Sequence, residues 1–331
     1  MLRIGLLGCG RIGQVHARSI KALDDAIVVA VADALPDAAA ALAQEAGAEV
    51  RDTQAILTGT DIDAVVIGTP TDTHFDLIRA AAAAGKAIFC EKPVDMSVDN
   101  IRACIDAVDA AGVPFLTGFN RRFDPNFAAL RARIRAGTIG AVELITITSR
   151  DPNPPPLSYI ARSGGLFRDM MIHDFDMARF LIGEEFTRLH AVGASLVDPA
   201  IGEAGDVDTA AVILTTASGR ICQISNSRRA VYGYDQRIEV HGAAGMLRAD
   251  NQLDSTVEIA TASGFARDPA QHFFLERYAP AFLAEMRSFV AAVTEGTPAD
   301  PGIHDGLRAQ MLADAAAQSL KTGQPVDLPG V

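Results

Sequence analysis

Along the first 118 residues, short apolar runs alternate with longer alanine-rich stretches whose apolar positions recur at helical spacing. The runs Ile4–Leu7, Ile27–Ala32, Ala64–Gly68, Ala87–Cys90 and Pro114–Thr117 predict strands. Pro36–Ala46, Thr73–Ala84 and Ser97–Ala111 predict helices between them. Strands that alternate with helices imply an α/β domain, a parallel sheet covered on both faces.

The pattern changes after Asn120. Pro125–Ala136 predicts a helix that ends at Gly137, and the proline-rich Asp151–Pro156 excludes regular structure. Leu166–Leu181 predicts one helix, stopped by Gly183. Then strand-like runs follow one another without helices: Leu189–Val197, Asp208–Thr216, Arg220–Ser227, Gln236–His241 and, past a glycine turn, Met246–Ala249. Such a succession predicts a large open, mostly antiparallel sheet with helices on one face, an α+β domain. Asp305–Lys321 predicts a terminal helix. The expected division is residues 1–120 and 121–331, with the last helix able to pack back on the first domain.

A length of 331 residues fits two domains, and 49% apolar against 21% charged residues describes a folded chain. The net charge of -12 repels phosphate backbones and anionic lipid, so neither nucleic acid nor membrane is an expected partner. The opening MLRIGLLGCG has no basic stretch followed by a longer apolar one, so no secretory leader is expected. No uncharged apolar run approaches the roughly 18 residues of a membrane span. Cys9, Cys90, Cys104 and Cys222 are far apart and form no C-x-x-C pair. They predict buried thiols in a reducing compartment, the cytoplasm, and no metal site.

Gly8-Cys-Gly10-Arg11-Ile12-Gly13 follows a predicted strand and opens a helix, the context in which G-x-G-x-x-G binds a dinucleotide. Gly8 allows the tight turn, Gly10 the approach of the pyrophosphate, and Gly13 close helix–strand contact. The N–H groups at the helix start, around Arg11 and Ile12, face the phosphates. Asp33, 20 residues past Gly13, would accept from the adenosine ribose and repel a 2′-phosphate. No Lys or Arg occurs from Ala30 to Ala46, so the expected cofactor is NAD rather than NADP. Thr69-Pro70, His74 and Glu91-Lys92-Pro93 lie at or just past strand C-termini, where ligands sit in an open α/β sheet.

Asp169 and His173 are spaced i, i+4, so one helix would bring carboxylate and imidazole together as a proton-accepting dyad. The same spacing also fits an ordinary surface ion pair. Asp174 and Asp176 leave open which carboxylate is the partner.

The stretches GLLGCGRIGQVHA, GTPTDTH, EKP, GFNRRFDPNF, SGGLFRDMMIHDFDMARFL and YGYDQRIEVHGAAG resemble the Gfo/Idh/MocA oxidoreductases over essentially the full length, and its inositol-oxidising branch most. The resemblance implies a Rossmann domain, an open-sheet domain and an active site between them. It implies that Lys92 bonds the reacting hydroxyl while Asp169 and His173 take its proton. It places Asn120, Arg121, Asp151 and Tyr234 by a small polyol, and it implies a cis Lys92-Pro93 bond and a homotetramer joined through the sheets. The implied reaction is NAD-dependent oxidation of myo-inositol at C2 to scyllo-inosose. Another cyclic polyol or sugar, such as scyllo-inositol or an aldose, is the alternative. A non-catalytic NAD-binding regulator is disfavoured, since it has no need of Lys92, Asp169 and His173 together. Asn120, and the loop Asp151–Pro156, depart from several relatives and leave the inositol isomer open.

Overall fold

The computed structural model describes residues 1–329 and divides the chain into two units. The first comprises Met1–Phe123 and Pro280–Gln310; the second comprises Asp124–Ala279 and Met311–Val331. The segment Pro280–Gln310 thus returns to the first unit, and the first crossing falls after Phe123 rather than Asn120.

The first unit holds β1 (Leu2–Leu7), α1 (Arg11–Lys21), β2 (Ala26–Ala32), α2 (Pro36–Ala46), β3 (Glu49–Val50), α3 (Thr53–Thr58), β4 (Ala64–Ile67), α4 (His74–Ala83), β5 (Ala87–Glu91), α5 (Val98–Ala111) and β6 (Phe115–Gly118). The sheet order is β3-β2-β1-β4-β5-β6, with every pair parallel. Order reverses beside β1, which puts a topological switch point at its C-terminal end. β4 is buried at every position because helices cover both faces. One face packs Leu6, Val31, Phe89 and Leu116 against Met286, Phe289 and Val290 of the returning segment. The other packs Ile67, Ile88 and Cys90 against Ile78, Ile101 and Ile105.

The second unit holds α6 (Pro125–Arg135), β7 (Val142–Arg150), α7 (Leu157–Ser163), α8 (Gly165–Asp169), α9 (Ile172–Ile182), β8 (Phe186–Ala194), α10 (Pro199–Glu203), β9 (Thr209–Thr216), β10 (Ile221–Ser227), β11 (Asp235–Gly242), β12 (Gly245–Ala249), a β13–β14 hairpin (Glu258–Thr261, Gly264–Arg267) and α11 (Phe274–Arg277). Two long helices, α12 (Ala279–Thr294) and α13 (Ile303–Thr322), and β15 (Val326–Asp327) complete the chain. The large sheet runs β12-β11-β7-β10-β9-β8-β15; only β7 and β10 pair in parallel. β9 and β10 alternate buried and more exposed positions, the period of a sheet covered on one face.

The single helix expected over Leu166–Leu181 is two. Gly164 and Gly165 both adopt left-handed φ, +79° and +82°, and start the short α8. At its end Met171 N–H donates to Leu166 O, five residues back, and regular bonding resumes with Phe175 N–H to Met171 O. This slip of one residue parts α8 from α9. It falls between Asp169 and His173, so their spacing is not that of one uninterrupted helix.

Candidate active site

The dinucleotide turn is built from backbone that admits no side chains. Gly8 has φ +97°, and a Cβ there would lie 2.6 Å from the Gly68 carbonyl. A Cβ on Gly13 would lie 1.9 Å from Gly8 O. At Gly10, by contrast, a Cβ meets nothing within 4 Å. Gly8 and Gly13 are therefore required by the turn itself, whereas Gly10 borders open space at the start of α1. That helix has no side-chain cap and no acidic residue in its first turn, so its N–H groups and positive end remain available to an anion. The residues fit a dinucleotide pyrophosphate. Arg11 is exposed at this helix start, and Ile12 faces Gly68.

Asp33 follows β2. Its two carboxylate oxygens accept from Cys9 N–H at 2.6 Å and Leu35 N–H at 2.8 Å. It therefore fixes the glycine turn, a structural role the sequence did not suggest. Each oxygen has more than one lone pair, so an acceptor remains for a ribose hydroxyl. Cys9 is buried, and burial together with the Asp33 charge pushes its thiol up to about 11, an unreactive setting.

His74 is buried and has its ring nitrogens 2.9 Å from the carbonyls of Thr69 and Pro93. Burial lowers its pKa, more than its two carbonyl partners raise it. The ring joins the loop after β4 to the one after β5, while Pro70 itself is exposed. The Lys92-Pro93 bond is cis. Lys92 is half-buried, and its N–H donates to Glu91 Oε2 at 3.3 Å. Glu91 Oε1 meets Nε2 of the fully buried His16, on α1, at 2.7 Å. Thus the cofactor helix is tied to the strand end that carries Lys92. Glu285, on α12, is also fully buried, with no hydrogen bond at either carboxyl oxygen. Burial first, and the Glu91 charge second, push its pKa well above the usual carboxylate range. His16 and Glu285 carry no sequence signal, because each reads as one polar residue on an otherwise apolar helix face.

Asn120 and Arg121 are buried in the short turn after β6. Their neighbours serve the fold: Arg122 bonds Asp300 and Asp305, at 2.7 and 2.8 Å. Asp124 caps α6 and pairs with the buried Arg277.

In the second unit, Asp169 ends α8 and His173 lies in the first turn of α9. Asp169 Oδ1 accepts from Tyr159 Oη at 2.9 Å, and Oδ2 faces Arg228 Nη1 at 3.5 Å. Asp174 and Asp176 are fully buried, and Asp174 accepts from Asn226 at 2.9 Å. Asp169 and His173 are both partly exposed, so Asp169 is the carboxylate of this cluster open to a ligand. Asp151 follows β7, with its N–H on Ser227 O. Tyr234 is buried edge-on against Phe273 and Tyr278. Arg228 and Asp206, which bonds Leu166 N–H, were not anticipated, since these contacts join segments 59 and 40 positions apart; Tyr159 is only 10 positions from Asp169 but lies on the separate short helix α7.

The description "Oxidoreductase family, NAD-binding Rossmann fold" fits residues 2–119, and "GFO/IDH/MocA C-terminal domain" fits residues 127–248. The chain is 55% identical to the inositol 2-dehydrogenase of Rhizobium meliloti (strain 1021), over 99% of each. It is similar to the solved myo-inositol dehydrogenase of Corynebacterium glutamicum, at 43% identity and TM-score 0.96 with full coverage of both chains. It is also similar to the scyllo-inositol dehydrogenase of Lactobacillus casei solved with NAD(H) and scyllo-inositol, at 29% identity and TM-score 0.91 with 99% of each chain covered.

Proposed function

The chain belongs to the GFO/IDH/MocA oxidoreductase family, and from that premise we propose that it is an NAD-dependent inositol 2-dehydrogenase of inositol catabolism. It oxidises myo-inositol at C2 to scyllo-inosose. What supports the reading is the end-to-end similarity to an inositol 2-dehydrogenase in a chain that carries Lys92, Asp169 and His173 together with an intact dinucleotide turn.

Bound NAD+ supplies the acceptor for the hydride that leaves the carbinol carbon. His173 takes the hydroxyl proton, and Asp169 balances the imidazolium that forms. Lys92 donates to the reacting oxygen as alkoxide character builds. Asn120, Arg121, Asp151 and Tyr234 meet the remaining hydroxyls. Gly10, Arg11, Ile12 and the helix start hold the pyrophosphate, and Asp33 holds the ribose. Thr69, Pro70, His74 and Glu91 shape the nicotinamide side.

The similarity to a scyllo-inositol dehydrogenase favours a second substrate reading, the scyllo isomer. NADH formation with myo-inositol, scyllo-inositol, further inositol isomers and aldoses separates the two. A kcat/KM highest with myo-inositol is expected; a preference for scyllo-inositol replaces the first reading with the second, and no turnover with any polyol removes both.

The outer face of the large sheet exposes Leu144, Val192, Ile213 and Ile221, on strands with buried residues at intervening positions, and Met246 on the edge strand β12. This face supports assembly as a homotetramer, which light scattering would measure and Ile213→Asp would disrupt. The four buried, free thiols support a cytoplasmic location. No helix among the described residues is long and apolar enough to cross a membrane.

A further inference from the structure

Arg228 and Arg277 are the two largest fully buried side chains among the described residues, and Arg228 is only 1% exposed. It follows β10 directly, and its N–H is fixed on Asp208 O at 2.8 Å. Its guanidinium lies between two carboxylates. Nη1 is 3.5 Å from Asp169 Oδ2, and Nη2 is 3.6 Å from Asp206 Oδ2. Asp206 uses its other oxygen to accept from Leu166 N–H at 3.0 Å, in the first turn of α8. That oxygen also sits where a Cβ on Gly165 would stand, at 2.6 Å, so residue 165 has no room for a side chain. One carboxylate therefore fixes the beginning of α8, the other is the last residue of α8, and Arg228 spans the two.

We propose that Arg228 is a positioning residue for the proton-accepting dyad: held by Asp206, it orients Asp169 and sets the field in which His173 takes the substrate proton. This rests on the reading of Asp169 and His173 as that dyad. A buried guanidinium near Asp169 opposes the accumulation of positive charge on the imidazole, so the ring stays neutral and able to accept at lower pH. Asp206 offsets part of that cation. The pair thus acts as two opposed controls on one base. Asp176, fully buried three positions past His173 on α9, is a further carboxylate of the cluster, and several other nearby charges have partners of their own. Asp174 bonds Asn226; Asp208 takes the N–H groups of Leu196, Val197 and Asp198; Asp314 pairs with Arg168; and the Tyr159 hydroxyl bonds the remaining Asp169 oxygen.

Two substitutions have opposite expected signs. Arg228→Met removes a cation, so the imidazolium becomes easier to form. The acid limb of the kcat/KM profile with NAD+ and myo-inositol then moves up by about one pH unit, and kcat falls about tenfold or more. Asp206→Asn keeps a side chain of the same shape but leaves Arg228 less neutralised, so the limb moves down. Loss of packing alone would not drive the limb in opposite directions. If Arg228→Met fails to fold, the downward shift in Asp206→Asn carries the test. The dissociation constant for NADH, read by fluorescence, stays within a few-fold in both.

His173→Ala is measured alongside. A limb unmoved in Asp206→Asn and in folded Arg228→Met, while His173→Ala abolishes turnover, overturns the role of Arg228 alone. Normal turnover in His173→Ala overturns the dyad and this proposal with it.

Discussion

Gly10 and Gly13 are three residues apart in one motif, yet the structure assigns their side-chain-free positions to different states of the protein. At Gly13 an added methyl would stand 1.9 Å from Gly8 O and 3.0 Å from Gly8 C, both backbone atoms of the turn. Relief requires α1 to move away from the strand end, at a cost of about 1–3 kcal/mol or more. Gly13→Ala should therefore lower the melting temperature of the cofactor-free protein by about 2–6 °C, taking roughly 2 °C per kcal/mol for a chain of this size. At Gly10 the methyl has open space, and φ of -70° suits alanine. The cofactor-free Gly10→Ala protein should melt within about 2 °C of the parent, since alanine is a poorer N-cap than glycine by at most about 1 kcal/mol. Its defect should show on adding NAD+, where the methyl stands against the pyrophosphate. With ligand at 100 times Kd, the parent gains about 2.7 kcal/mol, or about 5 °C. If Kd rises about 100-fold, the same concentration gives about 0.4 kcal/mol, under about 1 °C. Thermal scans of both variants, with and without NAD+, decide it. A Gly10→Ala protein that keeps the full ligand-induced shift, or a Gly13→Ala protein of parental stability, would refute this assignment.

Lys92→Met should lower kcat and kcat/KM together by about 100-fold while changing the NAD dissociation constant only a few-fold; retained kcat with lost binding would make Lys92 a cofactor clamp. Asp33→Asn should reduce the preference for NAD+ over NADP+, which we expect to be about tenfold or more in kcat/KM, while keeping an acceptor for Cys9 N–H; an unchanged ratio would confine Asp33 to holding the turn. Glu285 has a folded-state pKa above its unfolded one, so the native state holds the extra proton. Its contribution is complete below the usual value of 4.5 and is lost as pH rises. Glu285→Gln should therefore raise the melting temperature more at pH 8 than at pH 5, by about 2 °C for each kcal/mol of linkage; a gain equal at both pH values would contradict the assignment.

What the sequence revealed and what it hid follow from the range of the forces involved. The parallel strands of the first unit were legible because both faces are buried, so each reads as an uninterrupted apolar run. β3 and α3 were not, being two and six residues long and set by neighbours rather than by pattern. β7 escaped although Ile145, Ile147 and Ser149 alternate with the more exposed Leu144, Thr146 and Thr148, the period of a half-buried strand. The glycine motif was legible as a cofactor turn, since Gly13 closes on Gly8 within six residues, although Gly8 also closes on Gly68, 60 positions on. The proposed dyad, Asp169 and His173, was read from its spacing on one helix, and the structure divides that helix between them. Four positions apart on a continuous helix would have placed Asp169 and His173 by periodicity alone. The one-residue slip at Met171 hands that placement to the surroundings: two left-handed glycines at the start of α8, Asp206 on the Leu166 N–H, and Arg228 and Tyr159 on the carboxylate at its end. None of these is local to the motif, and Arg228 is 59 positions from Asp169. A spacing of four thus picked out the two residues, but the surroundings of Asp169 are set by contacts that only the folded second unit brings together.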